Sequence, residues 1–365
     1  MKKVLLPLAL LAIPLVYMVL GSGCGEKSTW PAPGYVLESV PTTRAPRVDG
    51  NALDREWFSA PELIVALSDG NAPGGGSAYV KMKSVYTALA DTVYFLLEWA
   101  DSTDDVLPDR LIYTGPPWYA RRCVTDLSLV DPQYWTKRAQ EEQKEDRFCI
   151  FFEIVPASDE TGPFASRGCA IACHDGMRVP NGRLDGWYWM RARSDPVNRC
   201  DDMVVDAVSI RGDPGIGVWS TNKREASFLP RYIARGDNGG LSSAKFVYDQ
   251  GPYARTFNQC DTINPVTSLP WNDERDLEVD YVPGYMVGNP SGSRGDITAK
   301  GMWDEDTGRW SVEIKRAFRT GDETNDIFFY PEAYPNRTYV FAVALMNGSR
   351  AVHSGSVPLL LKFRR

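Results

Sequence analysis

The chain has 365 residues, 43% of them apolar, which is enough material for a sizeable core and fits either two domains or one large all-β domain. Its 40 basic and 47 acidic side chains give a net charge of −7, which argues against a nucleic-acid partner, because such a partner selects a basic patch. Two histidines, no Gly-rich phosphate loop and no nucleophile elbow leave little with which to build an acid–base or covalent catalyst.

The first residues read as an export signal. Lys2 and Lys3 precede an apolar run from Val4 to Leu20, and Pro7 and Pro14 interrupt it as they would not interrupt a stable spanning helix. Small residues then lead to Cys24, in Gly21-Ser22-Gly23-Cys24, which resembles a bacterial lipoprotein cleavage site. The expected organisation is a signal peptide over 1–23 with Cys24 lipidated, then a Pro-rich tether over 24–45 carrying Pro31, Pro33 and Pro41. A folded domain follows over 46–365 with insertions near 104–147 and 211–300. Such a protein is exported, and stands at the outer face of a membrane through its lipid alone.

Strand-like segments with β-branched and aromatic residues, bounded by turn formers, come at Glu62–Leu67, Ala78–Tyr86 and Val93–Trp99. More follow at Phe148–Ile154, Trp187–Arg193, Trp310–Lys315, Tyr339–Leu345 and Val357–Phe363. This punctuation predicts an all-β sandwich or barrel. Pro132–Asp146, rich in Gln, Glu, Lys and Arg, reads as a short solvated helix on an insertion.

The run Cys169-Ala-Ile-Ala-Cys173-His174 carries the chemistry. Two thiols followed at once by an imidazole is the arrangement that attaches a c-type haem: the thiols add to the vinyl groups and the histidine reaches the iron. Three residues separate the cysteines where two are usual. A local disulfide with an incidental histidine is the alternative, and zinc would need two further ligands. Without Cys24, Cys169 and Cys173, four cysteines remain: Cys123, Cys149, Cys200 and Cys260. In an oxidising compartment that even number predicts two disulfides of undetermined pairing.

Electron transfer needs a second axial ligand, whereas an open sixth position would suit ligand binding. His353 is the only other histidine, and it lies in a turn ahead of an apolar run. Met190 is its competitor; Met177 is too close to His174 to reach the opposite face. In Asp185-Gly-Trp187-Tyr188-Trp189-Met190-Arg191-Ala-Arg193, alternation puts Trp187 and Trp189 on one face and Tyr188 and Met190 on the other. Trp187 and Trp189 are candidates to pack a porphyrin, and Arg191 and Arg193 to pair with its propionates. The alternative is a strand with core tryptophans and surface arginines.

Four stretches, in this order, resemble the haem-binding gamma subunits of ethylbenzene dehydrogenase and dimethyl sulfoxide reductase-type molybdoenzymes, on their c-type branch. They are Val48–Trp57, Val93–Thr103, Cys169–His174 with Asp185 and Trp187–Trp189, and Trp310–Arg316 with Phe341–Ala344. The resemblance implies a two-sheet antiparallel sandwich holding one covalent haem c. In b-type members a Met in mid-chain and a Lys near the end ligate the iron; His174 and His353 stand at roughly those places, so bis-histidine ligation is implied. The implied function is a monohaem electron carrier or electron-transfer subunit, whose partner is a molybdoenzyme or a membrane cytochrome. A haem-based ligand-binding or sensor module is the alternative, and nothing supports an enzyme directly.

Overall fold

The structure is a computed structural model that describes residues 35–68, 78–107, 111–113, 135–137, 144–155, 164–169, 178–223, 232–234, 247–248, 254–256, 281–282, 284–348 and 353–365. The expectations for Cys24, Cys123, Cys173, His174 and Cys260 lie outside the described residues.

Thirteen strands form one mixed sheet. They are β1 (Val36–Pro41), β2 (Leu63–Leu67), β3 (Ala78–Thr87), β4 (Thr92–Ala100), β5 (Arg147–Val155), β6 (Arg183–Met190) and β7 (Asp201–Val205). The rest are β8 (Ile210–Gly212), β9 (Thr298–Asp304), β10 (Arg309–Ala317), β11 (Thr338–Met346), β12 (Ser354–Gly355) and β13 (Leu359–Phe363). The order across the sheet is β8-β7-β6-β5-β11-β13-β1-β3-β4-β10-β9, with β2 on β3 and β12 on β11. Among the described residues, α1 (Arg55–Phe58) and α2 (Phe164–Arg167) are single-turn helices. The fold is all-β, as expected. It is one curled sheet, and β1 pairs parallel with both β13 and β3, so its pairing is not wholly antiparallel.

β1 corrects the expected tether over 24–45. Leu37 and Ser39 are wholly buried at the middle of the sheet, and Pro41, which has no N–H for the ladder, stands at the strand's last position. The prolines of this stretch hid an alternating strand.

The sheet curls until its halves face each other across the main core. Trp99 of β4 stacks on Phe148 of β5 (5.7 Å between centroids) and on Trp310 of β10 (6.1 Å), and meets Trp189 of β6 edge-on (6.0 Å). Each such pair adds about 0.5–1.5 kcal/mol beyond burial. The sheet's two ends come together as well. Cys200 N donates to Ile297 O (3.1 Å) and Ala299 N donates to Asn198 O (3.2 Å), so residues leading into β7 meet those at the start of β9. That contact shields edges that would otherwise offer unpaired backbone groups.

Two stretches that carry the family resemblance lock together. Glu313 of β10 accepts from Trp57 Nε1 (2.8 Å), Gly50 N (2.9 Å) and Asp49 N (3.0 Å). Gly50 has φ +83°, and a Cβ there would lie 2.9 Å from Gly301 C, so only glycine fits the turn.

The expected solvated helix at 132–146 is corrected over its described part. Trp135–Lys137 and Lys144–Glu145 are short strands, and Glu145 is wholly buried as the partner of two arginines, Arg147 and Arg193. Buried ion pairing, not solvation, accounts for that charge.

Candidate functional site at the Cys169 corner

Alternation gives the β5–β6–β11 part of the sheet two apolar faces. Phe148, Ile150 and Phe152 point into the main core, while Cys149 and Phe151 point the other way. On that second face Cys149, Phe151, Leu184, Val205, Ala342 and Ala344 pack with Phe164 and Cys169, with Tyr188 against them. Small residues at 342 and 344 leave room for the Cys169 segment to lie close to the sheet.

A tight turn delivers Cys169 there. Gly168 N donates to Phe164 O (2.7 Å), closing α2. Gly168 sits at φ +60°, and a Cβ on it would come within 3.0 Å of Ser356 O and Pro358 N. Cys169 is 2% exposed and lies against Gly355, where an added Cβ would be 3.0 Å from the cysteine Cβ. Gly355 belongs to β12, which is fixed in turn by pairing to β11: Ser356 N donates to Val343 O (2.9 Å) and Val343 N donates to Ser356 Oγ (3.0 Å).

The residue just before β12 is His353, half-buried. Its Nε2 lies 3.8 Å from Cys169 Sγ, across 184 residues of sequence. The fold thus brings the first cysteine of the haem-like motif to the only histidine outside it. Cys169 is disulfide-bonded, and the other half of that bond lies outside the described residues.

The other candidates fall elsewhere. Trp187 and Trp189 are wholly buried in the main core, on the opposite face of β6 from the Cys169 cluster. Their strand holds this phase because Trp187 meets Phe95 edge-on at 5.7 Å and Trp189 meets Trp310 at 5.1 Å, anchoring that face inward. Tyr188 is the aromatic residue that β6 presents towards Cys169. Met190, buried, is two residues beyond Tyr188 on the same face, at the strand's end.

Arg191 and Arg193 lie past the end of the strand, which was expected to run through them, and both are matched to carboxylates. Arg191 makes two bonds to Asp104 (2.7 and 2.9 Å) and one to Asp195 (3.2 Å). Arg193 grips buried Glu145 through Nε (2.9 Å) and Nη2 (2.7 Å) and lies over the Trp219 and Tyr285 rings. The planar fork found its bidentate partner within the chain.

Two of the four cysteines expected to pair are free. Cys149 and Cys200 are buried thiols, and burial pushes both well above the usual thiol range. The physical reason is the pleat. Cys149 packs on the Cys169 face, whereas Cys200 packs in the main core, so the two thiols lie on opposite sides of the sheet.

Sequence reasoning also passed over a buried acidic cluster around Arg316, made of Asp185, Asp202 and Asp326. The signal was present. Asp185 precedes Trp187 and Trp189 in the same phase, and Arg316 follows Val312 and Ile314 in the same phase, so both charges stand at core positions.

A family model described as ethylbenzene dehydrogenase matches residues 54–357. No curated protein matches. Among solved structures, the chain is similar to a family 9 carbohydrate-binding module from Caldicellulosiruptor kristjanssonii in complex with glucose. That likeness has 8% identity, covers 90% of this chain and 95% of the other, and has a TM-score of 0.31.

Proposed function

The chain belongs to the ethylbenzene dehydrogenase family, and from that premise we propose that it is an exported c-type cytochrome that carries electrons for an oxidoreductase. One haem would be held by Cys169 and Cys173, with His174 and His353 as the residues that would bind its iron. The observation that carries this reading is the 3.8 Å approach of His353 Nε2 to Cys169 Sγ. The donor set fits the group: soft sulfur for the vinyl carbons and imidazole for iron, beside an apolar face that keeps water away. When bound, haem supplies a one-electron Fe(III)/Fe(II) couple.

The residues of the chain have separate tasks. Gly168 and Gly355 let Cys169 sit against the sheet. Cys169 and Cys173 would hold the haem through thioethers made by their thiols, so the Cys169 disulfide would first have to be reduced by an external dithiol, which leaves as the disulfide. The β11–β12 pairing holds His353 in place, and two imidazoles favour low-spin iron at a lower potential than a His/Met pair. Lipidation at Cys24 would tether the carrier at the membrane, beside a molybdoenzyme or a membrane cytochrome.

The test is covalency. Protein matured with c-type attachment machinery should keep its haem through acid–acetone extraction, and Cys169→Ser with Cys173→Ser should lose it. A haem-free chain retaining the Cys169 disulfide after such maturation would overturn the reading.

A further inference from the structure

On the core face of the same strands, five carboxyl groups gather around the Arg316 guanidinium. Asp185 comes from β6, Asp202 from β7, Asp213 from just beyond β8, Asp296 from just before β9, and Asp326 from the segment after β10. Asp185 and Asp202 are wholly buried, with Asp326 and Asp213 at 2% and 3% exposure. One ligand oxygen each from Asp185, Asp202 and Asp326 lies within 4.8 Å of the others.

The carboxylates divide their oxygens. Asp185 Oδ2 accepts from Ile327 N (2.9 Å) and pairs with Arg316 Nη2 (3.1 Å). Asp326 Oδ2 accepts from Ser293 Oγ (3.2 Å) and Thr320 Oγ1, and pairs with Arg316 Nη2 (3.3 Å). The remaining oxygens are buried and receive no hydrogen bond from any donor among the described residues. They are Asp185 Oδ1, Asp326 Oδ1, Asp296 Oδ1 and both oxygens of Asp202 and of Asp213. An acceptor in that state costs about 1–3 kcal/mol, and more when charged.

Arg316 alone cannot neutralise five carboxylates, and Arg294, which also faces Asp202 and Asp213, is already bonded through two nitrogens to Asp201. Two states remove the excess. In one, the carboxyls hold protons, and burial does push Asp185 up to about 7, Asp213 to about 8 and Asp296 to about 6. In the other state, a cation sits among the oxygens of Asp185, Asp202 and Asp326.

We propose that Asp185, Asp202 and Asp326 form a structural calcium site. Calcium takes six to eight oxygens at about 2.3–2.6 Å, so opposite ligands stand about 4.6–5.2 Å apart, matching this spread. Magnesium, held at about 2.0–2.1 Å, keeps several of its waters and is a poor match for a dry all-carboxylate cage. The ion would tie β6 and β7 to the segments beside β9 and β10, which are the parts of the sheet that meet where it closes. This proposal does not rest on haem attachment.

The experiment uses the full chain. After dialysis, elemental analysis should find one calcium per molecule, and EGTA should lower the thermal midpoint by more than about 5 °C, with calcium restoring it. Terbium in place of calcium should luminesce on tryptophan excitation, because Trp187 is the β6 residue paired with Asp202, and calcium should quench that emission. Asp202→Asn keeps the shape and removes one charge; it should weaken calcium at least tenfold. Should this variant not fold, the wild-type stoichiometry and terbium signal decide. No bound metal, no response to EGTA and no terbium emission would establish the protonated cluster and overturn the site; stoichiometric magnesium without a calcium response would overturn it equally.

Discussion

The Cys169 corner and the Arg316 cluster are built in opposite ways. The corner takes its chemistry from a contiguous motif and one distant histidine, placed against a small-residue face by two glycines. The cluster takes one carboxylate from each of five separate segments and sets four of them in the core. His353 therefore has little mechanical duty, being half-buried at the entry to β12, whereas Cys169 is 2% exposed and disulfide-bonded. The cluster has a large one, because charges buried at a seam stabilise the fold only when their partners are all present. Substitution of His353 should change spectra and leave stability nearly alone, and substitution at the cluster should do the reverse.

Arg316→Met breaks that comparison with the largest expected effect. The side chain is 1% exposed, pairs with Asp185 and Asp326 and lies over the Trp187 ring at 5.1 Å. Its removal leaves buried carboxylates without their cationic partner, a loss of about 3–5 kcal/mol. Urea unfolding should show it as a fall in midpoint, and calcium should recover part of the loss. A change within 0.5 kcal/mol in both buffers would mean that the carboxyls are neutral.

Glu313 gives a smaller effect with a pH signature. Glu313→Ala orphans the Trp57 indole N–H and the Asp49 and Gly50 amides, at about 1–3 kcal/mol for each that stays buried. Burial outweighs these bonds and raises the carboxyl to about 7. Because the folded value lies above the unfolded one, the group's contribution is complete below about pH 4.5 and is lost as pH rises through 7. Glu313→Gln does not titrate, so unfolding free energies measured from pH 4 to 8 should decline less steeply than in the wild type. An unchanged slope would place the titration elsewhere.

These sites also mark how much could be read in the sequence. The strands Ala78–Thr87, Thr92–Ala100 and Arg309–Ala317 were legible within a residue or two, because alternation and bounding turns are local. Two features that depend on distant partners were hidden. β1 lay among prolines, and only its parallel neighbours β3 and β13 make it a central strand. Arg191 and Arg193 offered a planar fork whose partner, propionate or carboxylate, depends on Asp104 and Glu145 arriving from far along the chain. The cysteine count was even, yet evenness says nothing of which side of the pleat each thiol takes. The corner was half legible: the motif names Cys169, and scarcity of histidine names His353, but only the β11–β12 hairpin puts them 3.8 Å apart.

His353→Ala has the smallest expected effect on stability and the sharpest on function. The imidazole is half-buried and stands just before β12, so its removal should cost under about 1 kcal/mol. In the proposed holoprotein it would nonetheless remove one axial ligand. The variant should keep covalent haem, because the thioethers and His174 are untouched, while its absorption turns high-spin and it binds carbon monoxide. His353→Met should restore a low-spin spectrum with a raised potential, since a thioether favours ferrous iron. If His353→Ala stays low-spin with an unchanged potential, the ligand is another residue. Met190, which shares the Tyr188 face of β6, is then the next to change. If the unsubstituted protein is itself high-spin and already binds carbon monoxide, His353 is not bound to iron and the sixth position is open, which would turn the reading from carrier to ligand sensor.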